Sequence, residues 1–299
     1  MKIVTTWADA RLAIGERGTS GLVPTMGFLH EGHGRLFDEA ESSCDVVICS
    51  IFVNPLQFGE DADLAAYPRD LERDVEIAEA GGVDVVFAPS IDQVYQRRMS
   101  TTVSIEGVSN GMEGEFRPGH FAGVAVMVAK LFAGIQPDRA FFGRKDAQQL
   151  AVIATMAQDL SFPVEVVGVP TLREHDGLAL SSRNTRIDAS RRYQATSLSR
   201  GLFAAAKLLD NGVRDADTLI HAAATEMNSA GVSPDYIQLA SQSSAKRLTV
   251  VDRPAFLATA ARVGDVRLID NLHIGFADGV VEPDRGTTLS SPSILYGGS

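Results

Sequence analysis

Two histidines, His30 and His33, stand three residues apart in the stretch VPTMGFLHEGHG, directly after a short apolar run. The chain has six histidines in all, so a pair this close asks for a chemical reason. Three chemistries use such groups: a metal site, a phosphate-binding loop, or a nucleotidyl-transfer site of the His-x-Gly-His kind. A zinc-protease pair needs His-Glu-x-x-His, four residues apart, and here one residue is missing and no third ligand of obvious type lies near. From Gly27 the chain spells G-x-x-x-x-G, but His33-Gly34 stands where a P-loop needs Lys and Ser or Thr. The third chemistry fits. At a helix start, unpaired backbone N–H groups and the positive end of the dipole attract phosphate, and residues at i and i+3 share a face. Gly32 between them leaves the backbone bare. For an isolated pair, capping of the helix by one histidine is the simpler account.

Other clusters change that balance. FGRKDAQQ offers the mobile cation Lys145, Asp146, and Gln149 one helical turn beyond the lysine, groups able to address a phosphate, a ribose and a small polar substrate. LALSSRN supplies Ser181, Ser182 and Arg183, an anion clamp in a loop. SIFVNPLQFG puts Asn54 and Gln57 just beyond an apolar strand, and EFRPGHFAGV sets Arg117 and His120 before a helix. Each alone reads equally well as a turn or a cap.

What must position these residues is legible as an alternation. The runs GLVPT, DVVICSIFV, VDVVFAP, RAFFG and VEVVGVP are strand-like, and residues 70–81, 121–135 and 145–160 carry helical periodicity. Such alternation predicts an α/β fold with a parallel sheet, whose ligands sit beyond the carboxyl ends of the strands. PTMGFLHEGH, NPLQFG and GRKDAQQ each follow a strand, so one crevice could collect all three. Beyond HDGLALSSRNTR the pattern changes to helical stretches at about 189–211 and 215–230, followed by the strands DYIQLA, AFLATAARV and VRLIDNLHI. The expected organisation is a sheet domain over 1–175, a second, smaller α+β domain over 176–283, and a Ser- and Gly-rich tail over 284–299 of poor order.

With 299 residues and 45% hydrophobic content the chain can bury a substantial core. No apolar run is long enough to span a bilayer and the first twenty residues lack a signal-peptide core, so no membrane partner is expected and the cytoplasm is the default location. Cys44 and Cys49 read as packing residues rather than a disulfide. A net charge of −11 opposes binding to DNA or RNA, and the basic runs YQRRM and SRRYQ are short, so no nucleic-acid partner is expected.

Taken in order, PTMGFLHEGH, SIFVNPLQFG, YPRDLERD, RPGHFAGV, FGRKDAQQL, GVPTLREHDGLALSSRN and RLIDN resemble the pantothenate synthetase, or pantoate–β-alanine ligase, family over about residues 21–274. The resemblance implies a Rossmann-like domain of the His-x-Gly-His nucleotidyltransferase superfamily, a smaller C-terminal lid domain and a homodimer. The implied reaction joins pantoate to β-alanine with ATP and Mg²⁺, releasing AMP and pyrophosphate through a pantoyl-adenylate. Carried over by motif, Met26 to His33 matches an ATP-binding loop, with His33 as proton donor and His30 beside it. Gly143, Lys145 and Asp146 match a second ATP-binding segment, in which the lysine meets phosphate and the aspartate meets ribose. Leu172 with Leu180, Ser181, Ser182 and Arg183 match a third. Gln57 and Gln149 correspond to pantoate-binding glutamines, with Asn54 beside them, and Asp74 to an acidic residue near the magnesium. The run VYQRRM and the tail after Gly275 depart from the family pattern.

Rival readings are a transferase acting on a phosphorylated acceptor, a class I tRNA synthetase and a non-enzymatic nucleotide binder. The first calls for extra basic residues where this chain has the neutral Asn54, Gln57 and Gln149. The acidic charge and small second domain oppose the second, and the presence of His33, Lys145 and Arg183 opposes the third.

Overall fold

The structure, a computed structural model, describes residues 1–15, 18–58, 64–65, 67–97 and 99–296. Gly59 of the second motif, Arg98 of the run VYQRRM and the last three residues of the tail fall outside the described residues. The chain divides into two compact units, Met1–Phe142 with Val152–Val169, and Gly143–Ala151 with Pro170–Ser299.

The first unit is built on six strands: β1 (Lys2–Val4), β2 (Ser20–Thr25), β3 (Val46–Ile51), β4 (Val85–Phe87), β5 (Arg139–Gly143) and β6 (Glu165–Val169). Their order is β1-β4-β3-β2-β5-β6, and the pairs of β1 with β4, β4 with β3, β3 with β2 and β2 with β5 are parallel. The expected α/β, Rossmann-like sheet is therefore present. β3 is apolar and buried almost throughout, the pattern of a parallel strand covered on both faces. Its Val47 and Cys49 pack with Val23, Val86 and Phe141 and with Leu36, Phe37 and Ala40 of the helix Glu31–Ser43. Cys44 and Cys49 are unpaired thiols, and burial pushes the Cys49 thiol up to about 12, as a packing residue requires. From β2 the sheet grows through β3 and β4 on one side and through β5 and β6 on the other. In such sheets ligands bind outside the carboxyl ends of the strands at the point of reversal, and β2 ends at Thr25, one residue before Met26.

The second unit carries β7 (Leu172–Arg173), β8 (Pro234–Ser241), β9 (Ala255–Val263), β10 (Val266–Ala277), β11 (Val280–Asp284) and β12 (Thr287–Thr288). β8 to β11 form an antiparallel sheet in the order β11-β10-β9-β8. Leu202, Ala205, Leu209 and Leu219 from the helices Ser197–Asp210 and Ala216–Ser229 pack on Leu239, Leu257, Leu272 and Ile274 of that sheet. The smaller α+β arrangement matches expectation, with two differences. Residues 143–151 group with this unit and not with the sheet domain, because β10 holds their backbone: Asn271 Nδ2 donates to the carbonyls of Arg144 and Lys145 at 2.9 and 2.6 Å. In the described part of the tail expected to be poorly ordered, residues 284–296, the chain instead forms β12, parallel to β7, with Ser293 and Leu295 buried. Strand pairing there outweighs the loop-like composition.

Among the described residues, no helix is long and apolar enough to cross a membrane.

Candidate active site

In the first unit the site residues hang on the link from β2 to the helix Glu31–Ser43. Gly27 and Phe28 both adopt positive φ, at 79° and 52°. A Cβ on Gly27 would lie 2.7 Å from Asp74 Oδ2 and 3.1 Å from Ile51 Cγ2, so glycine is required by space as well as by φ. The turn is held by the helix Leu71–Ala80. Asp74 accepts the Phe28 N–H at 2.8 Å and the Leu29 N–H at 2.6 Å, one on each carboxylate oxygen, and Arg73 donates to the Leu29 carbonyl at 2.9 Å while covering the Phe28 ring. Asp74 is buried, and burial raises its pKa against the pull of those two amides and of Arg73.

The helix then starts on His30. Its Nδ1 accepts the Gly32 N–H at 3.1 Å, and His33 Nδ1 reaches back to accept the His30 N–H at 3.2 Å, a reciprocal cap made by two imidazoles with ring centroids 4.2 Å apart. Burial lowers the His33 pKa to about 4, so the ring is neutral at pH 7, and a neutral imidazole that accepts at Nδ1 carries its proton at Nε2. His33 is thus a hydrogen-bond donor rather than a cation.

Asn54 is buried and engaged: Nδ2 donates to the Gly123 carbonyl at 3.0 Å, and Oδ1 accepts from the Leu56 N–H at 3.2 Å and the Tyr95 hydroxyl at 2.7 Å. It shapes the turn Pro55–Gln57. The Gln57 carbonyl in turn accepts from His120 Nδ1 at 3.0 Å, with Arg117 beside it, so RPGHFAGV fixes the backbone from which the half-buried Gln57 side chain extends.

In the second unit, Lys145 and Asp146 lie in the short turn Arg144–Asp146 before the helix Ala147–Asp159, which carries Gln149. Lys145 Nζ stands 4.0 Å from Asp146 Oδ2, a loose pair. The turn is held by residues whose role sequence reasoning left undefined: Asn271 on two of its carbonyls, His273 Nε2 on the Arg144 carbonyl at 3.2 Å, and Asp284 on the Arg144 guanidinium at 3.0 Å. Burial, with the nearby Arg144 charge, lowers His273 to about 4, which leaves it a neutral donor.

The third segment is a hairpin closed by the Leu180 N–H on the Leu172 carbonyl at 2.9 Å, with Gly177 at φ 91° in its turn. Leu172 and Leu180 are buried, while Ser181, Ser182 and Arg183 are half-buried, Ser181 capping the turn Ser182–Arg186. Fully buried Arg173 binds both Asp270 oxygens, at 2.7 and 3.1 Å, and donates to the Asn271 carbonyl at 3.3 Å. The adjacent pair Asp270 and Asn271 in RLIDN therefore holds two predicted nucleotide segments, 143–146 and 172–183, within one unit.

The structure thus brings together Met26, His30, His33 and the Asp74 clamp in one loop of the first unit, with Asn54 and Gln57 in another. Gly143, Lys145, Asp146, Leu172 and 180–183 share a frame in the second. Asp74 spends one acceptor site of each carboxylate oxygen on the loop backbone, and among the described residues no group of three or more His, Cys, Asp or Glu gathers around it.

A Rossmann-like sheet whose strand β2 runs into a His-Glu-Gly-His helix start defines the His-x-Gly-His nucleotidyltransferase class. More narrowly, the sequence profile of the pantoate–β-alanine ligase family matches residues 2–273, and the chain belongs to that family. It is 47% identical over 277 residues to the pantothenate synthetase of Moorella thermoacetica, covering 91% of this chain and 98% of that relative. The crystal structure of pantothenate synthetase from Thermus thermophilus matches with a TM-score of 0.86 at 43% identity, covering 91% of this chain and 99% of that one. A pantoate–β-alanine ligase from Francisella tularensis, complexed with β-γ ATP and β-alanine, matches with a TM-score of 0.71 at 32% identity, over 91% and 97% of the two chains. The protein is an ATP-dependent ligase that condenses pantoate with β-alanine.

Proposed function

We propose that the condensation runs in two steps on the residues described above. The observation that carries the reading is the reciprocal histidine cap after β2, which uses Nδ1 of both rings and so puts the ring proton on Nε2 of each. In the first step the ionised pantoate carboxylate attacks the α-phosphorus of ATP, the bond to the bridging oxygen breaks, and pyrophosphate leaves with that electron pair. In the second the β-alanine amine attacks the acyl carbon, AMP leaves, and the amine loses a proton. The nucleophiles come from the substrates, so the protein's part is positioning and charge stabilisation.

His33 and His30 donate to the phosphates through Nε2, Lys145 and Arg183 supply positive charge, and Ser181 and Ser182 add hydroxyl donors. The backbone at Met26, Gly143, Leu172 and Leu180 frames the nucleotide, and Asp146 accepts from the ribose. Gln57 and Gln149 hold pantoate through neutral amides, with Asn54 shaping the turn that carries Gln57. Asp74, the acidic residue that the family resemblance puts near the magnesium, holds the loop through two backbone N–H groups, and no step here is routed through the ion. The reading also includes a homodimer, as the family resemblance implies, a cytoplasmic location and no nucleic-acid or membrane partner, with the acidic charge as support against nucleic acid.

The test is a partial reaction. With ATP, magnesium and pantoate but no β-alanine, label should exchange between pyrophosphate and ATP. Exchange that requires the amine would overturn the adenylate.

A further inference from the structure

The match to the family ends at residue 273, yet the chain beyond it is bound closely to the hairpin that carries the third nucleotide segment. Gly286 turns the chain inward at φ 76°, where a Cβ would meet the Thr171 carbonyl oxygen at 2.2 Å. β12 then joins β7, with the Thr287 N–H on the Thr171 carbonyl at 2.9 Å and the Leu289 N–H on the Arg173 carbonyl at 2.8 Å. Farther on, Leu295 is buried and the Tyr296 hydroxyl donates to Glu174 Oε1 at 2.9 Å while accepting from Arg192 Nη1 at 3.0 Å. Burial, and the Glu174 carboxylate beside it, push the phenol up to about 12, so it stays a donor at neutral pH.

Glu174 is the hub. Only 2% exposed, it also accepts Asn184 Nδ2 at 2.6 Å on Oε1 and Arg192 Nη2 at 2.6 Å on Oε2. Asn184 belongs to the turn Ser182–Arg186 and donates in addition to the Ala179 carbonyl at 3.0 Å. One buried carboxylate thus joins the tail to the turn bearing Arg183. A buried carboxylate needs its donors, and losing one loosens the groups that share it.

We infer that residues 287–296 are a positioning strap for the nucleotide-binding turn 181–186, anchored by Tyr296 on Glu174. The inference rests on the assignment of 180–183 to ATP. Tyr296→Phe removes one hydroxyl and leaves the ring; Tyr296→Ala removes the anchor. In the full-length protein, amide exchange at Asn184 and Ile187, whose N–H groups close the turn, should quicken by about tenfold in Tyr296→Phe and more in Tyr296→Ala. KM for ATP should rise by about three- to tenfold, the scale of one ordinary lost hydrogen bond felt through the turn, while KM for pantoate stays constant. Unchanged exchange in both variants overturns the strap. Faster exchange with an unchanged KM for ATP overturns its link to the nucleotide and the assignment of 180–183 with it, whereas the pyrophosphate exchange would still report on the two-step reaction independently.

Discussion

A neutral imidazole that accepts a hydrogen bond at Nδ1 has one choice for its proton, and the helix start at residues 30–33 makes that choice for two rings at once. Capping, which the spacing alone set against catalysis, is therefore compatible with the donor role proposed for the pair. The consequence is separable by mutation. His33→Ala loses the cap and the donor, so kcat should fall by roughly 10² to 10³ and the melting temperature should drop by the equivalent of about 1 kcal/mol. His33→Gln restores the reach back to the cap N–H and should recover stability while leaving kcat low. Recovery of both would make the ring structural only. Asp74 gives the complementary case. Asn in its place would turn an N–H toward the backbone N–H of Phe28 or Leu29, so Asp74→Asn should cost about 1 to 3 kcal/mol in urea unfolding and lower turnover through the loop. A variant with normal stability and a raised magnesium requirement would instead favour a metal role.

Strand β10 shows what alternation does for a site. Leu272 and Ile274 face the helices of the second unit, and Asn271 and His273, one residue out of phase, take the carbonyls of the Lys145 turn. Asp270 closes on Arg173, which is buried with it. Replacing Asp270 alone with Leu should cost about 3 to 5 kcal/mol, because a guanidinium is left buried and unpaired. The double variant Arg173→Met with Asp270→Leu should recover most of that loss, and a thermodynamic cycle measures it. No recovery would place the damage elsewhere. The motif RLIDN is visible in the sequence, but its task is not, since its partners lie 97 and 126 residues away and no local pattern encodes them. Where local rules govern, the reading succeeds: Asp70 and Gly81 bracket the helix Leu71–Ala80 as cap residues. The turn Asp278-Gly279, with both residues at positive φ, is a hairpin signal that could have revealed β11. The histidine pair, the lysine turn and the serine-arginine run were legible by residue type, whereas the strap was not, because its composition is that of a loop.

The two units together carry a pH dependence that neither composition nor charge count predicts. His33 and His273 are lowered to about 4 in the folded chain, against about 6.5 when unfolded. Between those values the unfolded chain binds more protons, so stability rises with pH and is lost as pH falls from about 6.5 toward 4. Two aspartates act in the same direction lower down. Hydrogen bonds from Ser20 hold Asp138 below its ordinary value, and at Asp176 burial pushes upward but is outweighed by the hydrogen bond from Arg192, so the contribution of each disappears as it protonates. Burial has the opposite effect on Asp74, whose raised pKa makes the folded chain the better proton binder near the acid end and offsets part of the loss. The net expectation is a melting temperature that declines steadily between pH 6.5 and 4, well before general carboxylate titration. His273→Gln can still donate to the Arg144 carbonyl without titrating, so its decline over that window should be shallower than in the unmodified chain. Equal slopes in the two proteins would show that His273 is not buried as a neutral donor and that the turn carrying Lys145 is held some other way.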